Sequence, residues 1–179
     1  TAFPFTDVAE SRWSYPYIKE LYDAGVVSGT SATTFSPAAN VTRAQFVTML
    51  AGLAGADVSN CPATPFRDVP EGAWYAPYVN WALANGIVSG TSAVTFSPDA
   101  SITRQDMAVM LYSYTQRFQV HLQQQPVKPF TDAGSIAAYA QIAVQTLQRA
   151  GVISGMPDGS FQPYGTATRE QACTMLCML

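Results

Sequence analysis

One pattern recurs three times along this chain, and nothing else in it restricts the fold so tightly. The repeats open Phe5-Thr6-Asp7-Val8, Phe66-Arg67-Asp68-Val69 and Phe130-Thr131-Asp132-Ala133. An aromatic follows each: Trp13, Trp74 and, one residue later, Tyr139. Apolar residues at helical spacing come next, Ile18 and Leu21, then Val79 and Ala82, then Val144 and Leu147. Pro16 and Pro77 suit the first turn of that helix, where a missing N–H costs little. Gly25, Gly86 and Gly151 stand where a left-handed cap ends it. Then come Val26-Val27-Ser28-Gly29, Ile87-Val88-Ser89-Gly90 and Val152-Ile153-Ser154-Gly155, leading to Phe35-x-Pro37, Phe96-x-Pro98 and Phe161-x-Pro163. This loop is too rich in Gly, Ser, Thr and Pro for helix, and its apolar residues predict an ordered connection with very short extended pieces. Met156-Pro157-Asp158-Gly159 reads as a turn and lacks the alternating acids of a calcium loop.

Each unit closes on a second helix. Val41-Thr42-Arg43, Ile102-Thr103-Arg104 and Ala167-Thr168-Arg169 precede Phe46, Met49, Leu50 and Leu53, then Met107, Met110 and Leu111, then Ala172, Met175 and Leu176. That spacing marks one buried face. Threonine occupies the N-cap, with Gln45 or Gln171 positioned for a capping box and Asp106 as a weaker version. The arginine therefore begins the helix, beside the positive end of its dipole, where a cation costs about 0.3–1 kcal/mol. Two readings are open. An anion is held jointly by the guanidinium and the helix N-terminus, or a long, exposed arginine tolerates the position. The second unit's helix extends through Tyr112, Tyr114 and Phe118.

One helix–loop–helix unit cannot bury both of its apolar faces, so three close around a shared core. The expected architecture is all-α, a single domain over 1–179 with units at 1–60, 61–125 and 126–179. Composition bounds what it does. A net charge of −3 leaves no basic field for nucleic acid. No apolar run nears the roughly 18 residues that cross a bilayer, so no membrane insertion is expected. Charged residues make up 12% of the chain, about half the usual fraction, which suits an extracellular protein. Thr1-Ala2-Phe3-Pro4 looks like a cut inside a longer or processed chain, with no signal peptide. Three cysteines make no disulfide framework; Cys173 and Cys177 share a helix face and fill core, and Cys61 lies in a linker. His121 is the only histidine and no Cys-x-x-Cys occurs, so neither metal nor cofactor is expected. Asn40-Val41-Thr42 fits a glycosylation sequon, but Thr42 is committed to capping.

Taken together, Phe-x-Asp-Val, the aromatic, Gly-Val-Val-x-Gly, Phe-x-Pro and Thr-Arg-x-x resemble the S-layer homology domain over nearly the whole chain, three times. The resemblance implies a pseudo-threefold helical assembly with grooves between neighbouring motifs. It further implies a non-catalytic module at the bacterial cell surface, holding a secreted cargo to the wall. The partner it implies is an anionic secondary cell-wall polysaccharide, usually carrying ketal-linked pyruvate. Arg43, Arg104 and Arg169 match the family's basic position. Trp13, Trp74 and Tyr139 match its aromatic one, and Asp7, Asp68 and Asp132 its acidic one. Gly29, Gly90 and Gly155 match the loop glycine whose bare backbone can approach a ligand. The family's Thr-Arg-Ala-Glu here ends in Gln45, Asp106 or Gln171, and the third unit departs further at Tyr139 and Ala133.

Each residue also has a structural reading. The tryptophans either stack on a sugar face or fill core, as Phe35, Phe96 and Phe161 should. The aspartates tie down the chain before each helix, with a sugar hydroxyl as second partner. Single, repeating aspartates do not form the facing carboxylate pair that glycoside hydrolysis needs, so Asp7, Asp68 and Glu71 argue against an enzyme. A protein-interaction or self-association module using the same grooves is the alternative function.

Overall fold

A computed structural model describes residues 3–179; the cut read at the start of the chain, at Thr1 and Ala2, lies outside the described residues. Six α-helices follow in order: α1 (Tyr15–Asp23), α2 (Arg43–Ala54), α3 (Ala76–Ala84), α4 (Arg104–Arg117), α5 (Gln141–Arg149) and α6 (Arg169–Cys177). Among the described residues there are no strands; the extended pieces are isolated bridges, and they lie beside the threonine caps, not in the glycine-rich loops. As expected, α4 is the longest helix, reaching Arg117 with Phe118 as its cap. The third unit enters α5 through two 3₁₀ turns, Ala133–Ser135 and Ala138–Ala140, which take up its extra residue.

The end signals hold in detail. Gly25, Gly86 and Gly151 have φ of 77°, 70° and 78°, the left-handed region that glycine enters without steric cost. They let the amides of Val26, Ile87 and Val152 turn back onto the carbonyls of Leu21, Ala82 and Leu147 at 2.8, 2.9 and 3.0 Å, a Schellman closure. Thr42, Thr103 and Thr168 accept from the amides of Gln45, Asp106 and Gln171. Only the two glutamines complete the box.

Helices of nine residues, such as α1, α3, α5 and α6, are marginal alone and need a partner face. The partner comes from another unit. The first helix of each unit packs on the second helix of the unit before it: α3 on α2, α5 on α4, and α1 on α6. Bridges Thr42↔Ser101, Thr103↔Thr166 and Asn40↔Thr168 join first to second, second to third, and third to first. The sequence of contacts thus returns to its start after three steps.

The apolar residues anticipated on the second helices are buried in this common core, except Leu53, which is half-buried. Phe35, Phe96 and Phe161 are wholly enclosed and lie against Phe5, Phe66 and Phe130, with ring centres 5.5, 5.7 and 5.1 Å apart. Cys173 is buried in the same core, Cys177 and Cys61 are half-buried, and all three are free thiols. Among the described residues no helix is long and apolar enough to cross a membrane.

Candidate functional site

The site is built from the loop outward. Asp7 accepts the amides of Phe35 and Ser36 at 2.9 and 2.8 Å, one on each carboxylate oxygen. Asp68 does the same for Phe96 and Ser97, and Asp132 for Phe161 and Gln162. Burial alone would raise the Asp7 and Asp132 carboxyls, but the loop amides outweigh it and leave both below the ordinary aspartate value. The amides so gathered hold Ser36, Ser97 and Gln162 at φ of 59°, a left-handed conformation costly for a non-glycine residue. That bend delivers the following carbonyls to a neighbouring helix.

Those carbonyls occupy the helix ends. In α2 the amides of Arg43 and Ala44 donate to Ala100 and Pro98 at 2.9 and 3.0 Å. In α4 those of Arg104 and Gln105 donate to Gly165 and Pro163, and in α6 those of Arg169 and Glu170 to Ala39 and Pro37. With the third amide on the cap hydroxyl, the first three amides of each helix have partners, and in α2 and α6 the cap's own amide is taken by Gln45 or Gln171. This corrects the expectation that an anion shares the helix N-terminus with the arginine. The dipole remains, but its N–H groups are already bonded.

The exposed-arginine reading fails as well. Arg43, Arg104 and Arg169 are only 5%, 5% and 4% exposed. Each Nε donates to a phenylalanine carbonyl of the next unit, Phe96 at 2.8 Å, Phe161 at 2.7 Å and Phe35 at 2.9 Å. Each guanidinium also lies over the ring of that same phenylalanine, 4.8, 5.0 and 4.5 Å from its centre. Burial lowers all three pKa values from the ordinary arginine value. Beyond Nε, Arg169 gives Nη2 to the Ser28 carbonyl at 2.9 Å, and Arg43 gives Nη1 to Asp106 at 3.3 Å. Among the described residues Arg104 has no further side-chain partner.

Two open grooves border these groups. The first, about 230 Å³, brings together the loop 26–30 with Gly29, the α2 residues Gln45, Thr48 and Met49, Trp74 of the second unit and Arg169 of the third. The second, about 500 Å³, joins the loop 87–91 with Gly90, the α4 residues Asp106, Val109 and Met110, Tyr139 of the third unit and Arg43 of the first. Each groove thus draws on all three units. Trp13, Trp74 and Tyr139 are 55%, 58% and 63% exposed, which removes the core reading for them; Trp81 is the core tryptophan instead. The glycines answer to their own loop. A Cβ on Gly29 would strike the Phe5 ring and the Thr34 carbonyl, and Gly90 and Gly155 are confined in the same way by Phe66 and Phe130.

Two features escaped the sequence reading. Asp106, taken there as a weaker cap, reaches Arg43 and also accepts from the Tyr139 hydroxyl at 2.5 Å. Burial, then this hydrogen bond, pushes the Tyr139 phenol up to about 12. Glu170, buried at the second position of α6, receives Arg12 through two nitrogens at 2.8 and 3.0 Å and Ser14 Oγ at 2.7 Å. Comparing the copies would have exposed this pair. Glu170 stands where the others have Ala44 and Gln105, and Arg12 where the second unit has Ala73.

The profile of the S-layer homology domain matches the chain at residues 4–47, 65–108 and 129–173. Among curated proteins, an endoglucanase of Bacillus sp. (strain KSM-635) is 40% identical over 99% of this chain. A cellulosome-anchoring protein of Acetivibrio thermocellus is 29% identical over 86%, and an S-layer protein of Bacillus anthracis 26% identical over 96%. The chain spans 19%, 35% and 20% of those relatives' lengths.

Proposed function

The chain belongs to the S-layer homology domain family of bacterial cell-surface modules, and from that premise we propose that it anchors an attached cargo by gripping an anionic, pyruvylated wall polysaccharide in its inter-repeat grooves. The reading rests on one observation, the groove in which Trp74, Arg169 and the Gly29 loop meet from three different units. An exposed indole there offers a flat face to a sugar ring. A guanidinium has five N–H donors. Arg169 commits two of them to the Phe35 and Ser28 carbonyls, which leaves donors for a carboxylate at the groove. The phenylalanine beneath it holds the fork in place before any ligand arrives, so less side-chain entropy is lost on binding. The aspartates and loop glycines act at one remove, shaping the loop that forms the groove wall.

Several further points support this reading. The contacts that return to their start after three units agree with a pseudo-threefold assembly in one domain over 1–179. The matched stretch is a minor part of relatives named as an endoglucanase, an anchoring protein and an S-layer protein. A block carried by proteins so differently named fits a shared attachment role without catalysis of its own. The cargo then lies elsewhere in a longer chain.

The test is a titration of the protein with purified envelope polysaccharide before and after chemical removal of pyruvate. Binding should be present with the native polymer and lost with the stripped one. Equal affinity for both would overturn the pyruvate-dependent reading, and binding to neither would point to a protein partner or self-association through the same grooves.

A further inference from the structure

The grooves are not equivalent: where the other units carry a neutral glutamine at the third position of the helix, the second carries Asp106, one methylene shorter and negatively charged. Gln45 and Gln171 turn back so that Oε1 accepts the amide of their own capping threonine, at 3.0 Å in each case. Asp106 occupies the same position in α4 but makes no such reciprocal bond. Its shorter carboxylate instead projects across the groove, accepting from Arg43 Nη1 at 3.3 Å and from Tyr139 Oη at 2.5 Å. Tyr139 is itself the departure from tryptophan, and a phenol hydroxyl supplies the donor at the tip of the ring. Two substitutions from different units therefore meet at one place, opposite an arginine from the remaining unit. Among the described residues neither Arg104 nor Arg169 has an acidic side chain within ion-pair distance.

We propose, building on the reading of the grooves as glycan sites, that Asp106 held by Tyr139 shuts the second groove to anionic sugars and leaves Arg169, in the first, as the group that receives them. The guanidinium of Arg43 is already matched by a carboxylate of the protein. A ketal carboxylate arriving there meets a like charge, and like charges brought together in a binding site are strongly disfavoured. The cavity itself is no obstacle, being the larger of the two described. Charge, and not space, makes the selection.

The test uses calorimetric titration with an envelope oligosaccharide carrying a single pyruvate ketal. Four proteins are compared: the parent chain, Trp74→Ala, Trp74→Ala with Asp106→Asn, and Asp106→Asn alone. Trp74 is exposed, so its removal should leave the melting temperature unchanged. The parent should bind in the first groove, and Trp74→Ala should bind at least about 100-fold more weakly. Adding Asp106→Asn to it should restore one site about tenfold tighter or more, and Asp106→Asn alone should add one equivalent to the parental stoichiometry. A Trp74→Ala variant that keeps parental affinity overturns the proposal, because the second groove is then open despite its carboxylate. So does a folded Trp74→Ala/Asp106→Asn variant that binds no better than Trp74→Ala. A parent chain that ignores the ketal oligosaccharide sinks the anionic-glycan reading itself, an outcome distinct from the other two.

Discussion

Replacing Arg169 with alanine should destabilise the protein as well as weaken ligand binding. The side chain joins the third unit to the first: Nε to the Phe35 carbonyl and Nη2 to the Ser28 carbonyl, both at 2.9 Å, with the guanidinium 4.5 Å from the centre of the Phe35 ring. Truncation strands the Phe35 carbonyl, within a wholly enclosed residue, and leaves the Ser28 carbonyl, on an exposed one, to water. A buried polar group without a partner costs about 1–3 kcal/mol, and the lost cation–π contact adds about 0.5–2 kcal/mol. Relief of the cost of burying the charge offsets part of this, so a net loss of about 2–4 kcal/mol is expected. For a chain of this length that corresponds to a fall in Tm of roughly 5–15 °C. Arg104→Ala should cost less, because Arg104 has a single hydrogen bond to lose. Arg169→Lys should fall between parent and alanine, since it keeps the charge but not the planar fork. Thermal unfolding followed by calorimetry and near-ultraviolet circular dichroism checks the order. An Arg169→Ala protein melting within about 1 °C of the parent would refute the idea that these arginines lock unit to unit.

Acid should loosen the contact between the first and third units. The Arg12 guanidinium, with Ser14 assisting against burial, holds the Glu170 carboxyl below its ordinary value of 4.5. Its contribution is therefore complete above that value and lost as pH falls through the lower pKa of the folded state. Glu170→Gln should cost about 1–3 kcal/mol at neutral pH and flatten the acid limb of the stability profile. Superimposable acid limbs in urea unfolding would refute this. The glycines separate two kinds of constraint. Gly29→Ala, which drives a methyl into the Phe5 ring and loop carbonyls, should cost about 3 kcal/mol or more. Gly25→Ala meets nothing within 4 Å and pays only for its left-handed backbone, about 1 kcal/mol. Equal unfolding midpoints for the two variants would contradict the packing argument.

Much of this was legible because it is local. Caps, left-handed glycines, the proline-led first turns and the buried helix faces all depend on residues within a few positions of one another. The reach of α4 to Phe118 could be read the same way. What the periodicity cannot say is which unit supplies the covering face. Ile18 and Leu21 announce an apolar stripe, but nothing in α1 announces α6. The helix-end amides were misjudged for the same reason. Their acceptors at Pro37, Pro98 and Pro163 belong to a different unit, and only the folded chain brings them together. Asp106 was noticed as an imperfect cap, yet its partners Arg43 and Tyr139 lie 63 and 33 residues away. The structural reading of Asp7, Asp68 and Asp132 was sound in kind, although they restrain the bend after the loop, 28 to 30 residues on.

The hand-over of α1 to α6 has a consequence for how such a module can evolve. A linear stack of repeats may gain or shed a member at either end and lose only one joint. Here every member is both host and guest, so deleting one strands a helix on each side of the gap. A duplication would need all the angles between members to be reset. The number three is thereby tied to a series of contacts that closes on itself.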